Sequence, residues 1–149
     1  MEWNKRGYTV SDNTNRMDTD AIFEMLSTSY WAADRPKEVI TNSMKRSICF
    51  GIFEGERQIG FARVITDNVV FSWVCDVIIH SDYRGKGLGK WLFDCIMEHP
   101  NNQVKTVGLY TKDAHQLYEK FGFINVETMQ CKKTNPKSWE KISNSHIQQ

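Results

Sequence analysis

The sequence predicts an α/β chain whose elements run β-α-α-β-β-β-α-β-α-β. Three observations carry this reading. Stretches of period-two apolar alternation are interleaved with stretches at helical spacing. Cap and turn residues separate them, among them Asp18, Pro36, Gly55 and Gly122. A run of three glycines, Gly85, Gly87 and Gly89, stands where an apolar strand gives way to an amphipathic helix.

The elements follow in order. Residues 7–11 read as a short first strand. Asp18 is placed to cap a helix whose stripe is Ile22, Met25 and Leu26, with Tyr30 one turn on. Asp34 and Pro36 signal a second helix, with Val39, Ile40 and Met44 facing inward. Residues 48–53 and 58–66 are strands joined by the turn Glu54-Gly55-Glu56-Arg57. Asp67-Asn68 turns into a strand over residues 69–79. The helix after the glycines carries Leu88, Trp91, Leu92, Cys95 and Ile96 on one stripe and stops before Pro100. Residues 104–110 form a strand, 114–121 a helix closed by Gly122, and 123–132 the last strand. This makes one domain over residues 1–132, with a polar tail over 133–149 in which Trp139 is the residue able to dock. No repeats or low-complexity segments occur.

A chain of 149 residues fits one domain with a substantial core. Net charge is +1, so bulk charge gives no reason to expect a nucleic-acid partner or a membrane surface. The start, Met1-Glu2-Trp3-Asn4-Lys5-Arg6, lacks the apolar stretch of a signal peptide. Cys49, Cys75, Cys95 and Cys131 show no C-x-x-C spacing, and three lie in apolar patterns typical of reduced, buried thiols. A cytoplasmic location is expected. No metal is expected.

The run Arg84-Gly85-Lys86-Gly87-Leu88-Gly89-Lys90 opens a helix with bare backbone amides. Unpaired N–H groups and the helix dipole both favour negative charge, and three basic side chains surround the turn. The run is not a P-loop, since Gly-Lys-Ser/Thr does not follow a four-residue gap. It is not the G-x-G-x-x-G dinucleotide fingerprint either. Two readings stay open: a pyrophosphate cradle, or a flexible basic turn.

The stretch Val77-Ile78-Ile79-His80-Ser81-Asp82-Tyr83-Arg84-Gly85-Lys86-Gly87-Leu88-Gly89 resembles the acyl-CoA-binding signature of the GNAT superfamily of N-acetyltransferases. Downstream, Ala114-His115-Gln116-Leu117-Tyr118-Glu119-Lys120-Phe121-Gly122-Phe123 resembles the family's A-x-x-L-Y-x-K-x-G-F segment. The two motifs together cover residues 69–126; the N-terminal half matches in element order alone. The resemblance implies a mixed, mostly antiparallel sheet flanked by helices. It implies acetyl-CoA as co-substrate, its pantetheine arm along the strand edge at Val77, Ile78 and Ile79, and its pyrophosphate on Arg84, Gly85, Lys86, Gly87, Leu88, Gly89 and Lys90. A backbone N–H of that edge would also steady the thioester oxyanion.

Tyr118 matches the family tyrosine that protonates the departing thiolate. A thiol near pKa ~8.5 and a phenol near ~10 suit such a transfer. Core packing is its other reading, because it shares helical spacing with Ala114, Leu117 and Phe121. The general base is open between Asp76, His80, His115 and water. Asp76 interrupts an apolar strand, which fits either a base or a buried hydrogen-bonding role. Where the family often carries asparagine seven residues before the tyrosine, Thr111 stands here, which puts that cofactor contact in doubt. Tyr30 and Trp31, at the helix junction, and Phe71 and Trp73, on the central strand, are candidates to hold the acceptor by stacking or cation–π contact, against ordinary packing.

The expected function is therefore transfer of an acetyl group from acetyl-CoA to a primary amine of a small molecule, by direct attack in a ternary complex. The alternatives are a protein N-terminal or lysine acetyltransferase, and a non-catalytic acyl-CoA-binding module. Monomer and homodimer are both open.

Overall fold

The computed structural model describes residues 1–140. The chain divides into two compact units, Met1–Tyr110 and a second that begins at Thr111.

The first unit is built on a six-stranded sheet in sequential order: β1 (Glu2–Lys5), β2 (Tyr8–Ser11), β3 (Ile48–Glu54), β4 (Arg57–Thr66), β5 (Phe71–Ile79) and β6 (Thr106–Leu109). The first five strands are antiparallel and β5 pairs with β6 in parallel. Three helices accompany the sheet: α1 (Thr19–Ser27), α2 (Lys37–Met44) and α3 (Leu88–Glu98). The expected class, a mixed and mostly antiparallel sheet flanked by helices, is the one observed.

Helix α1 starts where its cap dictates. The Asp18 carboxylate accepts the N–H groups of Asp20 and Ala21, both at 3.1 Å, and Ile22, Met25 and Leu26 are buried. They join Ala32, Ile40, Cys49, Phe61 and Ile78 in one apolar cluster. Ile79, next in sequence, lies 3.6 Å from the position a Cβ would take on Gly89 of α3. Neighbouring strand residues point to opposite faces, so α1 and α2 cover one face and α3 the other. Helix α3 buries Leu88, Leu92, Phe93, Cys95 and Ile96, with Trp91 half-buried rather than fully in the stripe.

Several elements depart from expectation. A strand, β1, precedes the one expected at residues 7–11 and forms a hairpin with it, turning at Arg6 (φ 52°) and Gly7 (φ 83°). Strand β5 begins at Phe71 rather than at residue 69, because the Asp67 carboxylate gathers the N–H groups of Val69, Val70 and Phe71 at 2.8–3.1 Å into a loop. The strand expected over residues 123–132 is absent: these residues have no regular structure, and Ile124, Val126 and Met129 are 80%, 69% and 100% exposed. β-propensity forms a strand only against a neighbour that takes its ladder bonds.

In the second unit, α4 (His115–Glu119) is shorter than the expected helix and closes at Gly122 (φ 87°). Trp139 lies in a turn of helix and is 39% exposed; residues 141–149 of the tail lie outside the described residues. Among the described residues no helix is long and apolar enough to cross a membrane, and no cluster of metal-ligating side chains occurs.

Candidate active site

Strand β5 delivers the chain into the glycine run through a stiff turn. The His80 Nδ1 accepts the N–H of Asp82 at 3.1 Å. Tyr83 is buried, and its hydroxyl donates to Glu54 Oε1 at 3.0 Å, which holds the phenol above its ordinary pKa. The charges of Arg57 and Lys86 lie 5.4 and 5.3 Å from its ring centre. Tyr83 thus anchors the turn to the β3–β4 hairpin, a role that a lone aromatic in a polar segment does not announce.

Arg84 folds back, its Nε donating to the Ile79 carbonyl at 3.0 Å. Gly85 and Gly87 then take φ of 78° and 77°, a region that side chains rarely adopt. A Cβ at either would meet nothing within 4 Å, so the glycines serve conformation and leave open space in front of the loop. Helix α3 begins at Leu88 with no side chain capping it; its first backbone bond runs from Trp91 N–H to the Gly87 carbonyl at 3.1 Å. The N–H groups of Leu88, Gly89 and Lys90 precede any intrahelical acceptor. Main-chain donors without an intrahelical acceptor, a helix dipole and open space make a site that fits a pyrophosphate.

Beside this loop a cavity of about 390 Å³ opens, lined by Ile79, His80, Ser81 and Arg84 from the end of β5 and by Glu24 and Met25 of α1.

The second feature is the edge of β5. Pairing with β6 runs from Phe71↔Thr106 to Val74↔Leu109 and stops. Beyond it, Cys75, Ile78 and Ile79 pair with β4 alone, so one side of the backbone over Cys75 to Ile79 lacks a strand neighbour in this sheet. The edge therefore includes Val77, Ile78 and Ile79 and runs into the glycine loop.

Asp76 sits in a β-bulge on that strand. Phe61 faces Ile78 but Arg63 faces Cys75, so β5 carries one extra residue there. Asp76 itself takes φ 56°. The bulge keeps Trp73 and Cys75, opposite Ile65 and Arg63, on the same face as Phe61 and α1. The Asp76 side chain, 3% exposed, is held by three donors. Oδ2 accepts from Arg35 Nη1 at 2.8 Å and Arg63 Nε at 3.0 Å, and Oδ1 accepts from Trp31 Nε1 at 3.2 Å. Arg63 Nη1 also donates to Ser47 Oγ at 3.0 Å. The carboxylate thus ties the α1–α2 connection to the sheet, and of its two expected roles the hydrogen-bonding one describes this geometry.

Of the aromatic candidates, Tyr30 and Trp31 meet edge to face at 5.0 Å, and both are well exposed. Phe71 and Trp73 stack with centroids 6.5 Å apart. They lie over Gly108 of β6, where a Cβ would come within 3.0 Å of Trp73 Cε3. Burial pushes the thiol of Cys75 up to about 11 and that of Cys49 up to about 12. Tyr30, Trp31, Trp73 and Asp76 therefore share one face of the first unit. Arg35 and Arg63 join them there, unannounced by the sequence, since isolated arginines read as surface charge.

Tyr118 belongs to the second unit. It lies in α4 with its ring 6.0 Å from that of Phe123. The Thr111 hydroxyl accepts the N–H of Ala114 at 3.0 Å, a turn that leads into α4. His115 opens the same helix.

Comparison with known proteins points one way. Residues 45–125 match the family described as "Acetyltransferase (GNAT) domain". A protein of Gibberella zeae named as an acetyltransferase is 29% identical over 142 residues, with 80% of each chain covered. The N-acetyltransferase ycf52 of Porphyra purpurea is 28% identical over 119 residues, covering 75% of this chain and 68% of that one. A crystal structure from Xanthomonas campestris, described as belonging to the GNAT family, superposes with a TM-score of 0.82 at 34% identity, covering 87% of this chain and 96% of that one.

Proposed function

The chain belongs to the GNAT acetyltransferase family and is an acyltransferase, and from that premise we propose that it acetylates a primary amine of a small molecule by direct attack on acetyl-CoA in a ternary complex. The observation that carries the reading is the continuity of two features: an unpaired β5 edge from Cys75 to Ile79 that ends in an uncapped helix N-terminus. An extended pantetheine arm has the backbone chemistry to pair with such an edge, as a peptide strand does. The amides of Gly85 to Lys90 are the pyrophosphate donors in this reading, with Arg84, Lys86 and Lys90 around them. The family match, residues 45–125, continues past Thr111, which supports one catalytic domain over residues 1–132.

In the proposed reaction the neutral amine attacks the thioester carbonyl carbon. A backbone N–H of the Val77 to Ile79 edge donates to the oxygen as it gains charge. The C–S bond breaks, and Tyr118 donates its hydroxyl proton to the leaving thiolate. The proton of the attacking nitrogen passes to water. Asp76 is not assigned that proton, because two guanidiniums and an indole already occupy its oxygens. The reading also needs no acyl-enzyme. Cys75 is the thiol nearest the bulge in sequence, and with a pKa of about 11 only about one molecule in 10⁴ is thiolate at neutral pH. Free thiols at all four cysteines suit a reducing, cytoplasmic setting.

Thermal melting tests the cofactor half. Acetyl-CoA at millimolar concentration should raise the melting temperature, since it binds the folded state. Gly87→Asp should abolish the shift by adding negative charge and a strained φ at the loop. A wild-type curve that does not move overturns the reading. Release of free thiol with an amine panel tests turnover.

A further inference from the structure

Two guanidiniums converge on one oxygen of Asp76, and this leaves the site with more positive than negative charge. Among the described residues, Asp76 is the carboxylate partner of both Arg35 and Arg63. The pair is largely withdrawn from water: the side chains are 19% and 11% exposed. Buried positive charge is costly unless something matches it. Asp76 matches one of the two. Arg35 commits Nη1 to Asp76, and a guanidinium carries five N–H donors in a planar fork suited to a carboxylate. Arg35 stands on the α1–α2 connection, close in sequence to the exposed rings of Tyr30 and Trp31. On the same face, the stack of exposed Phe71 on half-buried Trp73 supplies an apolar floor two to four residues before Cys75.

We propose that Arg35, backed by Arg63, is the specificity-determining group for the acceptor, and that the acceptor is an amine which also carries a carboxylate, as an amino acid does. The proposal rests on the acetyltransferase reading and deepens it. A polycationic acceptor meets repulsion here, because the carboxylate that would greet it is already bound by two arginines. A carboxylate-bearing amine completes the charge balance, and its apolar side chain has the Phe71–Trp73 floor to lie on. Arg63 is held by both Asp76 and Ser47, so its part is to support the field rather than to reach for the ligand.

The test uses matched pairs of amines that differ by one carboxylate: alanine and ethylamine, phenylalanine and phenethylamine, lysine and cadaverine. Thiol release is followed for the wild type, Arg35→Gln and Arg35→Lys, and each protein is melted with and without acetyl-CoA. For the best pair, wild-type kcat/KM should favour the carboxylate member by at least tenfold, the scale of a charge-assisted hydrogen bond. Arg35→Gln should bring that ratio towards one through a rise in acceptor KM, and Arg35→Lys should restore part of it. Equal or better use of the decarboxylated member, or an unchanged ratio in Arg35→Gln, overturns the proposal. If no pair turns over, calorimetric titration of the same amines into the wild type with coenzyme A decides, and amino acids that fail to bind overturn it as well. A melting curve unmoved by acetyl-CoA is a different failure, that of the acetyltransferase reading.

Discussion

Asp76→Asn isolates the charge of one carboxylate and little else. Asparagine keeps the shape, keeps an oxygen for the Trp31 indole, and tolerates the φ of 56° that Asp76 adopts, so the bulge itself is not challenged. What is lost is the counter-charge for Arg35 and Arg63, which donate at 2.8 and 3.0 Å. Breaking a buried ion pair by removing one partner costs about 3–5 kcal/mol. Both arginines retain some exposure, so water screens part of the loss, and a destabilisation of about 2–3 kcal/mol is expected. At about 3 °C per kcal/mol for a chain of this length, the melting temperature should fall by about 6–9 °C. The pH profile of turnover should keep its wild-type shape. Calorimetry and a pH series of kcat/KM read the two outcomes separately, and a cycle with Arg35→Gln should return a coupling of about 0.5–3 kcal/mol. A variant that melts like the wild type yet loses the acid limb of its rate profile would refute the clamp and restore Asp76 as the base.

Three further outcomes are expected. Tyr118→Phe keeps the ring and should lower kcat by about 10²–10⁴-fold with little change in acetyl-CoA affinity; near-normal turnover with chemistry rate-limiting would reduce Tyr118 to packing. Cys75→Ala should retain turnover and show no acyl-protein adduct by mass spectrometry, because its thiol, at about 11, stays protonated. Asp67 is held below the usual carboxylate range by hydrogen bonds from the Val69, Phe71 and Val70 amides. A lowered folded-state pKa means that its contribution is present above the unfolded value of about 4 and is lost as pH falls through the folded value. Asp67→Asn should therefore flatten part of the acid-side fall in melting temperature, and an unchanged acid limb would count against this role.

The parts of the fold legible in the sequence are those written in short-range chemistry. Asp18 caps the helix that its spacing announces, and Ile22, Met25 and Leu26 are buried as their period requires. The glycine loop is legible for the same reason, since Gly85 and Gly87 take conformations that few other residues accept. Strand β1 was hidden because Glu2, Asn4 and Lys5 are exposed on an edge, where no apolar alternation marks them. The apolar run at 123–132 misled in the opposite direction. Ile124 and Val126 have the right side chains for a strand, but pairing is a property of two segments and cannot be read from one.

The site turns on a single inserted residue. Without the bulge, β5 would alternate strictly against β4, and Cys75 and Trp73 would fall on the face opposite Phe61. With it, Trp73 and Cys75 stay on the α1 side, Ile78 still joins the cluster there, and Asp76 is freed from the ladder to reach Arg35 and Trp31 on the helix connection. The strain of a left-handed non-glycine residue is held in place by three hydrogen bonds, two of them from charged donors. Pairing with β6 ends at Val74, two residues before the bulge, so the unpaired edge and the bulge occupy one short stretch of chain, and the bulge residue holds both arginines. That coincidence explains why an acid in an apolar strand is worth its burial. It fixes the α1–α2 connection to the strand whose free edge the thioester would occupy in the proposed reaction, and in that proposal it sets the charge that an incoming amine would meet.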